Sequence, residues 1–181
     1  NQGRVDVGRV VRFIAHDFLV STNRRTDGDS YERMADAMGR LRGTSIETDI
    51  ATAGQREREG FGLIDSWRVI EKTSGGRMVA VEVTLPNWLY RSVQAKQVLT
   101  LSPDYFRIRK PLDRRIYELA RKHCGNQKQW QCTLKTLYEK SGSTDALRNF
   151  RGAVRTLAES DQLPDYRVQL DDSDLVTFSR R

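Results

Sequence analysis

Three arginines are spaced along one segment in a way that suits contacts to a polyanion. Arg148, Arg151 and Arg155 lie within residues 145–160. The apolar residues of this segment recur at helical spacing: Leu147, Phe150, Val154 and Leu157. At about 100° per residue the arginines fall within one arc on the opposite side of such a helix. A guanidinium donates paired hydrogen bonds to a guanine edge or a phosphate, so the pattern predicts a helix that reads nucleic acid.

Two neighbours extend this prediction. Asn149 flanks the arginines and offers an amide to base edges. Gly152 in mid-helix costs about 1 kcal/mol relative to alanine, a cost that close approach to DNA would explain. The alternative is an ordinary solvated basic face.

Further candidates for phosphate contact precede and follow this helix. They are Lys135, Lys140, Ser141, Ser143 and Thr144 on a short helix and its turn, with Arg167, Arg180 and Arg181 on the strands that follow. Ordinary solvation is the alternative for each lysine. The acidic turn at 171–174 is expected to avoid phosphate.

The charge balance supports an anionic partner. Of 181 residues, 31 are Lys or Arg and 24 are Asp or Glu, which gives a formal charge of +7. Residues 1–100 carry 15 basic and 13 acidic side chains, and residues 101–181 carry 16 and 11. The excess lies in the shorter half, as expected if that half binds a polyanion.

Several classes of protein are not expected. No run reaches the ~18 apolar residues of a membrane helix, and no secretory signal begins the chain, so we expect a cytoplasmic location. Cys124 and Cys132 match neither a disulfide framework nor a zinc spacing. There is no phosphate-binding Gly-Lys-Ser/Thr loop, and His16 and His123 lie in different halves. We therefore expect no catalytic residue, metal or cofactor.

The second half predicts one series of elements. A helix begins at Pro111, a strand covers 130–133, and a short helix covers 134–140. The helix 145–160, capped by Ser143 or Thr144, and two strands at 166–170 and 176–178 complete the series. Helix, strand, helix, helix and a two-stranded hairpin is the order of a winged helix.

The first half repeats that order from the strand onward. A strand is predicted at 10–14, helices at 16–20 and 31–42, and a strand at 45–50. A hairpin then turns at 73–76, and a short helix covers 87–94. Asp29 or Ser30 is expected to cap the helix 31–42, and the polar residues 51–60 are expected to be mobile. We predict an α+β chain of two tandem winged-helix domains, 1–100 and 101–181, the first lacking its opening helix.

The helix 31–42 has an outer face of mixed sign: Glu32, Arg33, Asp36 and Arg40. Carboxylates repel a phosphate backbone, so this face is expected to form ion pairs or to meet a second subunit. The pair Arg24 and Arg25 is a further candidate for phosphate contact.

Long blocks of the chain resemble one family. They are 61–67 (FGLIDSW), 81–90 (VEVTLPNWLY), 99–106 (LTLSPDYF) and 110–125 (KPLDRRIYELARKHCG), with 140–143 (KSGS) and Phe150-Arg151 beyond them. These blocks resemble the plasmid replication initiator protein A family of bacteria over nearly the whole chain.

The resemblance implies a function. Such initiators bind double-stranded DNA at repeated sites of a plasmid origin, help to melt nearby DNA and recruit host replication proteins such as the helicase. Many related initiators form homodimers through the first winged helix and repress their own gene, and none performs covalent chemistry. The family's reading helix corresponds to residues 145–160. A transcriptional regulator without origin melting, and a protein-interaction module with a basic surface, remain the alternatives.

Overall fold

The computed structural model describes residues 8–52, 55–71 and 78–181 of the chain. The chain divides into two compact units, one ending at Val98 and one spanning Leu99–Arg181. This division falls two residues before the boundary expected from the sequence. The turn expected at 73–76 lies outside the described residues.

In its described residues the first unit combines three helices with two antiparallel sheets. Its elements are β1 (Val10–Ile14), α1 (Ala15–Ser21), α2 (Gly28–Gly43), β2 (Ser45–Thr52), β3 (Gln55–Gly62), β4 (Ser66–Glu71), β5 (Met78–Thr84) and α3 (Asn87–Gln94). One sheet has the order β1-β5-β4, and β2 and β3 form a separate two-stranded sheet. β5, the last strand of the larger sheet in sequence order, is therefore its central strand.

The core of the first unit lies where α1 and α2 meet the larger sheet. It contains Ala15, Leu19, Met34, Met38, Ile64, Val81 and Val83. The α2 residues Met34 and Met38 are four apart, because one helix face must be buried at a period near 3.6.

The N-terminus of α2 differs from the expectation. Asp27 is the cap, and its Oδ1 accepts hydrogen bonds from the Ser30 backbone N–H at 3.1 Å and from the Ser30 hydroxyl at 2.6 Å. Asp29 and Ser30, predicted as caps, lie inside the first turn. Asp27 takes that role because a cap oxygen bonds the N–H group three residues ahead.

The polar segment 51–60, expected to be mobile and assigned no element from the sequence, is largely strand in its described residues. β3 pairs antiparallel with β2, from Ser45 opposite Gly62 to Thr52 opposite Gln55. Apolar and polar residues are expected to alternate along a strand only where one of its faces is buried. A polar composition therefore does not exclude a two-stranded antiparallel ribbon. Phe61 therefore belongs to β3 and does not continue into the strand of Trp67.

The second unit is built from helices packed on one three-stranded antiparallel sheet. Its elements are a 3₁₀ helix (Pro103–Arg107), α4 (Pro111–His123), β6 (Gln129–Thr133), α5 (Leu134–Ser141), α6 (Leu147–Ser160), β7 (Tyr166–Leu170) and β8 (Leu175–Arg180). The sheet order is β6-β8-β7. β6, the first of these strands in the sequence, pairs with β8, the last, just as β1 pairs with β5 in the first unit.

The core of the second unit joins α4, α5 and α6 to this sheet. Its largest fully buried side chains are Tyr117, Tyr166, Phe150, Phe178, Ile116, Leu134, Leu137, Val154, Val176 and Cys124. At its border Trp130 stacks between His123 and Phe178, with ring centroids 4.7 and 5.1 Å away. Burial, then Lys140 and Lys122, lower the pKa of His123 below its usual 6.5.

The start of α6 also corrects the sequence prediction. The helix begins at Leu147 rather than Asp145, and its cap residue Ala146 supplies no side-chain hydrogen bond. Ser143 and Thr144 therefore do not cap it. Leu147 is 36% exposed and lies outside the buried stripe that begins with Phe150.

Candidate nucleic-acid interface

The outer face of α6 carries unpaired basic and amide side chains. Arg148, Asn149 and Arg155 are exposed, while Phe150 and Val154 on the other face are buried. Arg148 and Arg155 are seven residues apart, which places them about 20° from each other around the helix axis. Within the described part of the chain neither guanidinium has a hydrogen bond or an ion pair. We call Arg148, Asn149, Gly152 and Arg155 the α6 outer face.

Arg151 lies on the same side of α6 as Arg148 and Arg155, as predicted from its spacing, but it is not free in the structure. Its Nε donates to Asp174 Oδ1 at 2.8 Å, and its Nη2 donates to Asp174 Oδ2. The two side chains are 35% and 40% exposed. The hydrogen bond from Arg151, and then the charges of Arg151 and Arg155, lower the pKa of Asp174. Arg151 therefore meets a fixed carboxylate 23 residues along the chain.

The same aspartate also anchors the N-terminus of α5. The Asp174 carbonyl accepts the Leu134 backbone N–H at 2.8 Å. Thr133 caps α5 by accepting the Thr136 N–H at 3.1 Å. The hairpin turn is thus held beside the first turn of α5, where Lys135 is exposed. Asp174 joins the hairpin to both α5 and α6.

The turn between α5 and α6 uses its hydroxyl groups internally. The Ser141 hydroxyl donates to the Tyr138 carbonyl at 2.7 Å and accepts the Ser143 N–H at 3.1 Å. Ser143 Oγ accepts the Asp145 N–H at 3.4 Å. Gly142 has φ +70°, a conformation that favours glycine and ends α5. Ser141 and Ser143 shape this turn, and Thr144 beside them is exposed.

The acidic hairpin turn is also organised by its own side chains. Asp171 Oδ1 accepts the Ser173 N–H at 2.9 Å and the Leu175 N–H at 2.8 Å. These bonds lower the pKa of Asp171, the bond from Leu175 most. Asp172 is exposed and has no hydrogen bond or ion pair within the described residues.

The remaining predicted contacts lie elsewhere in the second unit. Arg167 pairs with Asp161 at 3.5 Å, beyond the C-terminal end of α6. Arg180 lies opposite Tyr166 at the start of β7, several residues from the hairpin turn. Lys140 lies near His123, where its charge adds to burial in lowering the pKa of the imidazole, and near Cys132, where burial raises the pKa of the thiol to about 11 against the opposing charge of Lys140. The structure does not bring Arg167, Arg180 or Lys140 to the α6 outer face.

The corresponding helix of the first unit has a partly paired surface. Arg33 lies 4.0 Å from Asp29, and Arg25 lies 2.8 Å from Asp27. Arg40 is exposed and unpaired among the described residues. Acidic and basic groups therefore alternate on α2, while the α6 outer face carries only cations and an amide.

Two features are absent from the described residues. None of their helices combines the length and the apolar character that a membrane crossing requires. No three His, Cys, Asp or Glu side chains among them are grouped as metal ligands.

Sequence reasoning missed Asp174 as the organising residue of this site. The available signal was the turn 171–174 with aspartates at three of four positions, next to a strand. Aspartate favours turns and tolerates positive φ, and Asp174 has φ +62°. The pattern indicates a turn, but it does not show which cation the turn meets.

Comparison with known proteins relates the chain to replication proteins. The sequence model described as "RPA: Replication initiator protein A" matches residues 1–168. A protein of Wigglesworthia glossinidia brevipalpis, named "Putative replication protein", is 42% identical over 184 residues, covering 100% of this chain and 67% of that protein.

Two solved structures share the fold. A crystal structure of domains 2 and 3 of RctB matches with a TM-score of 0.68 and 11% identity, covering 95% of this chain and 75% of that one. A second structure of the same domains matches with a TM-score of 0.64 and 12% identity, over the same shares. At such low identity the similarity concerns the fold alone.

Proposed function

Because the chain belongs to the replication initiator protein A family, we propose that it initiates plasmid replication by binding double-stranded DNA at repeated origin sites. It acts by binding, without covalent chemistry or a cofactor. Host replication proteins such as the helicase are its proposed partners after the origin opens.

The proposed DNA-binding element is a winged helix in the second unit. The order α4, β6, α5, α6, β7 and β8 and the sheet order β6-β8-β7 support this interpretation. In such a fold the second helix of the pair enters the major groove and the preceding helix lies against the backbone. α6 is therefore the reading helix, and the β7–β8 hairpin is the wing.

The observation that carries the proposal is the unpaired α6 outer face. Arg148 and Arg155 point to one side and have no hydrogen bond or ion pair with a carboxylate among the described residues, in a family of replication initiators. Guanidinium groups in this state donate to guanine edges or to phosphates without first breaking an ion pair. Lys135, on the first turn of α5, is positioned for a phosphate contact.

The first unit is proposed as an accessory element. Its sheet order β1-β5-β4 matches that of the second unit, which supports a second winged helix. The mixed charge of α2 favours a contact with another copy of the chain over a leading role in reading DNA. Homodimer formation is accordingly assigned to this unit.

The test is salt-dependent binding to an origin duplex. We expect log affinity to fall linearly with log salt concentration, because neutralised phosphates release counterions. R148A and R155A should each weaken binding by about 1–3 kcal/mol where the side chain reads a base edge. K128A is the matched control, since Lys128 is exposed at the far end of β6 from the hairpin turn.

Two results would contradict the proposal. A flat response to salt would exclude phosphate binding and favour a module that meets an acidic protein. Equal losses in R148A, R155A and K128A would exclude α6 as the reading helix. An origin-opening assay with host replication proteins separates the initiator from a transcriptional regulator, which binds the same repeats without melting DNA.

A further inference from the structure

One carboxylate removes a cation from the proposed DNA-binding surface. Arg151 lies on the same helix as Arg148 and Arg155, but both of its donor groups that face the hairpin are bonded to Asp174. A free guanidinium that neutralises a phosphate releases a counterion from the DNA, whereas a guanidinium held by a carboxylate does not. The aspartate therefore changes what α6 offers to a phosphate backbone.

The geometry around Asp174 keeps this arrangement in place. Its backbone carbonyl is bonded to Leu134, which fixes the residue beside α5 independently of its side chain. Asp171 braces the same turn through Ser173 and Leu175. The carboxylate is thus presented to Arg151 from a turn whose position does not depend on the ion pair.

We propose that Asp174 is a specificity-determining positioning residue, which holds Arg151 away from phosphates and so limits binding to unrelated DNA. This inference rests on the proposed function of α6. Arg148, Asn149 and Arg155 then make the contacts that distinguish an origin repeat. Non-specific affinity depends on the number of neutralised phosphates, and the pairing of Arg151 with Asp174 lowers that number by one.

The test compares D174N with D172N in the full chain. Each variant removes one negative charge from the same turn, but only D174N releases Arg151, because Asp172 has no partner among the described residues. Asparagine tolerates the positive φ of Asp174 and leaves its carbonyl bond to Leu134 intact, so D174N is expected to fold. Thermal unfolding of both variants checks this directly.

The measurement is binding to an origin repeat and to an unrelated duplex across a range of salt concentrations. For D174N we expect the slope of log affinity against log salt on unrelated DNA to steepen by about 0.9, the value for one added phosphate contact. The preference for the origin repeat should fall. D172N should leave both the slope and the preference close to wild type.

A third variant assigns the effect to Arg151. R151Q/D174N should return the slope to the wild-type value, because the released cation is absent, and R151Q alone should change it little. Equal slopes for D174N and D172N, or a gain that survives in R151Q/D174N, would overturn the inference. Absence of salt-dependent binding in the wild-type protein would instead overturn the proposed function, so the two failures are distinguishable.

Discussion

The hydroxyl of Tyr117 donates a hydrogen bond to Asp165 Oδ2 at 2.8 Å. The hydroxyl oxygen of Tyr117 also accepts the Ser102 backbone N–H at 2.9 Å. The Tyr117 side chain is fully buried, and Asp165 lies just ahead of β7. One phenol thus connects α4 to the entry of the hairpin and to the segment that precedes the 3₁₀ helix.

Replacing this phenol with phenylalanine tests the connection. Y117F keeps the ring but removes one donor and one acceptor, so we expect a loss of about 1 kcal/mol in the free energy of unfolding. Y31F is the control, since the Tyr31 hydroxyl has no hydrogen bond within the described residues. Denaturant unfolding that gives the same value for Y117F and wild type would contradict the connection.

Two tyrosines are expected to titrate late. Burial raises the pKa of Tyr105 to about 12, reinforced by its bond to Glu118, and burial, reinforced by Asp165, raises that of Tyr117 to about 12. Their neutral forms are favoured in the folded protein. The contribution of the two neutral tyrosines to the free energy of unfolding is therefore complete below the ordinary tyrosine pKa of 10. It is lost as the pH rises toward 12.

Ultraviolet absorbance of tyrosinate, recorded with unfolding by circular dichroism, measures this effect. We expect part of the tyrosine signal to appear only with unfolding at high pH. Complete titration of all tyrosines near pH 10 in a folded protein would contradict it. Y117F should reduce the late fraction.

Phe150 separates the packing role of α6 from its binding role. The ring is 1% exposed and lies edge-on to Tyr138, with centroids 5.3 Å apart. F150A should cost about 3–5 kcal/mol of stability, because it removes transfer free energy and leaves a cavity. N149A, one residue away on the exposed side, should leave the melting temperature unchanged. Similar melting temperatures for the two variants would contradict the assignment of Phe150 to the buried face of α6 and of Asn149 to its exposed face.

Replacing Gly152 with alanine should change the stability of the protein and its affinity for DNA in opposite directions. A Cβ added at this position meets no atom within 4 Å, so G152A should stabilise α6 by up to about 1 kcal/mol. The added methyl group would obstruct a helix seated closely in a DNA groove, and affinity should fall. G39A in α2 is the control, because a Cβ there also meets nothing within 4 Å. Stabilisation of both variants without loss of binding in G152A would exclude close approach at Gly152.

The first unit should contribute less to affinity for a single site. Arg33 already faces Asp29, and Arg40 shares its helix with Glu32 and Asp36. R33A and R40A should therefore weaken binding less than R148A does. Equal or larger losses, measured on one repeat under the same salt conditions, would show that both units read DNA.

Where burial imposes a period, the sequence was a sufficient guide to the fold. The buried positions Phe150, Val154 and Leu157 follow from apolar spacing and are confirmed, and the short helix predicted at 87–94 is also confirmed. The blocks at 61–67 and 110–125 indicated the initiator family, which the comparisons confirm. The strand β3 was missed because its polar residues carry no such period.

The sequence by itself determined the order of elements in the second unit and the helix that carries the arginines. A helix face packed on a core must repeat its apolar residues every three or four positions, and that repeat is visible in one dimension. Only the tertiary structure decided which arginine is free. Arg151 and Arg148 are the same residue type, three positions apart, and what separates them is where the turn 171–174 returns in space. Because a partly buried ion pair between distant residues requires no periodic pattern in either segment, the contact with Asp174 became apparent only in the folded chain.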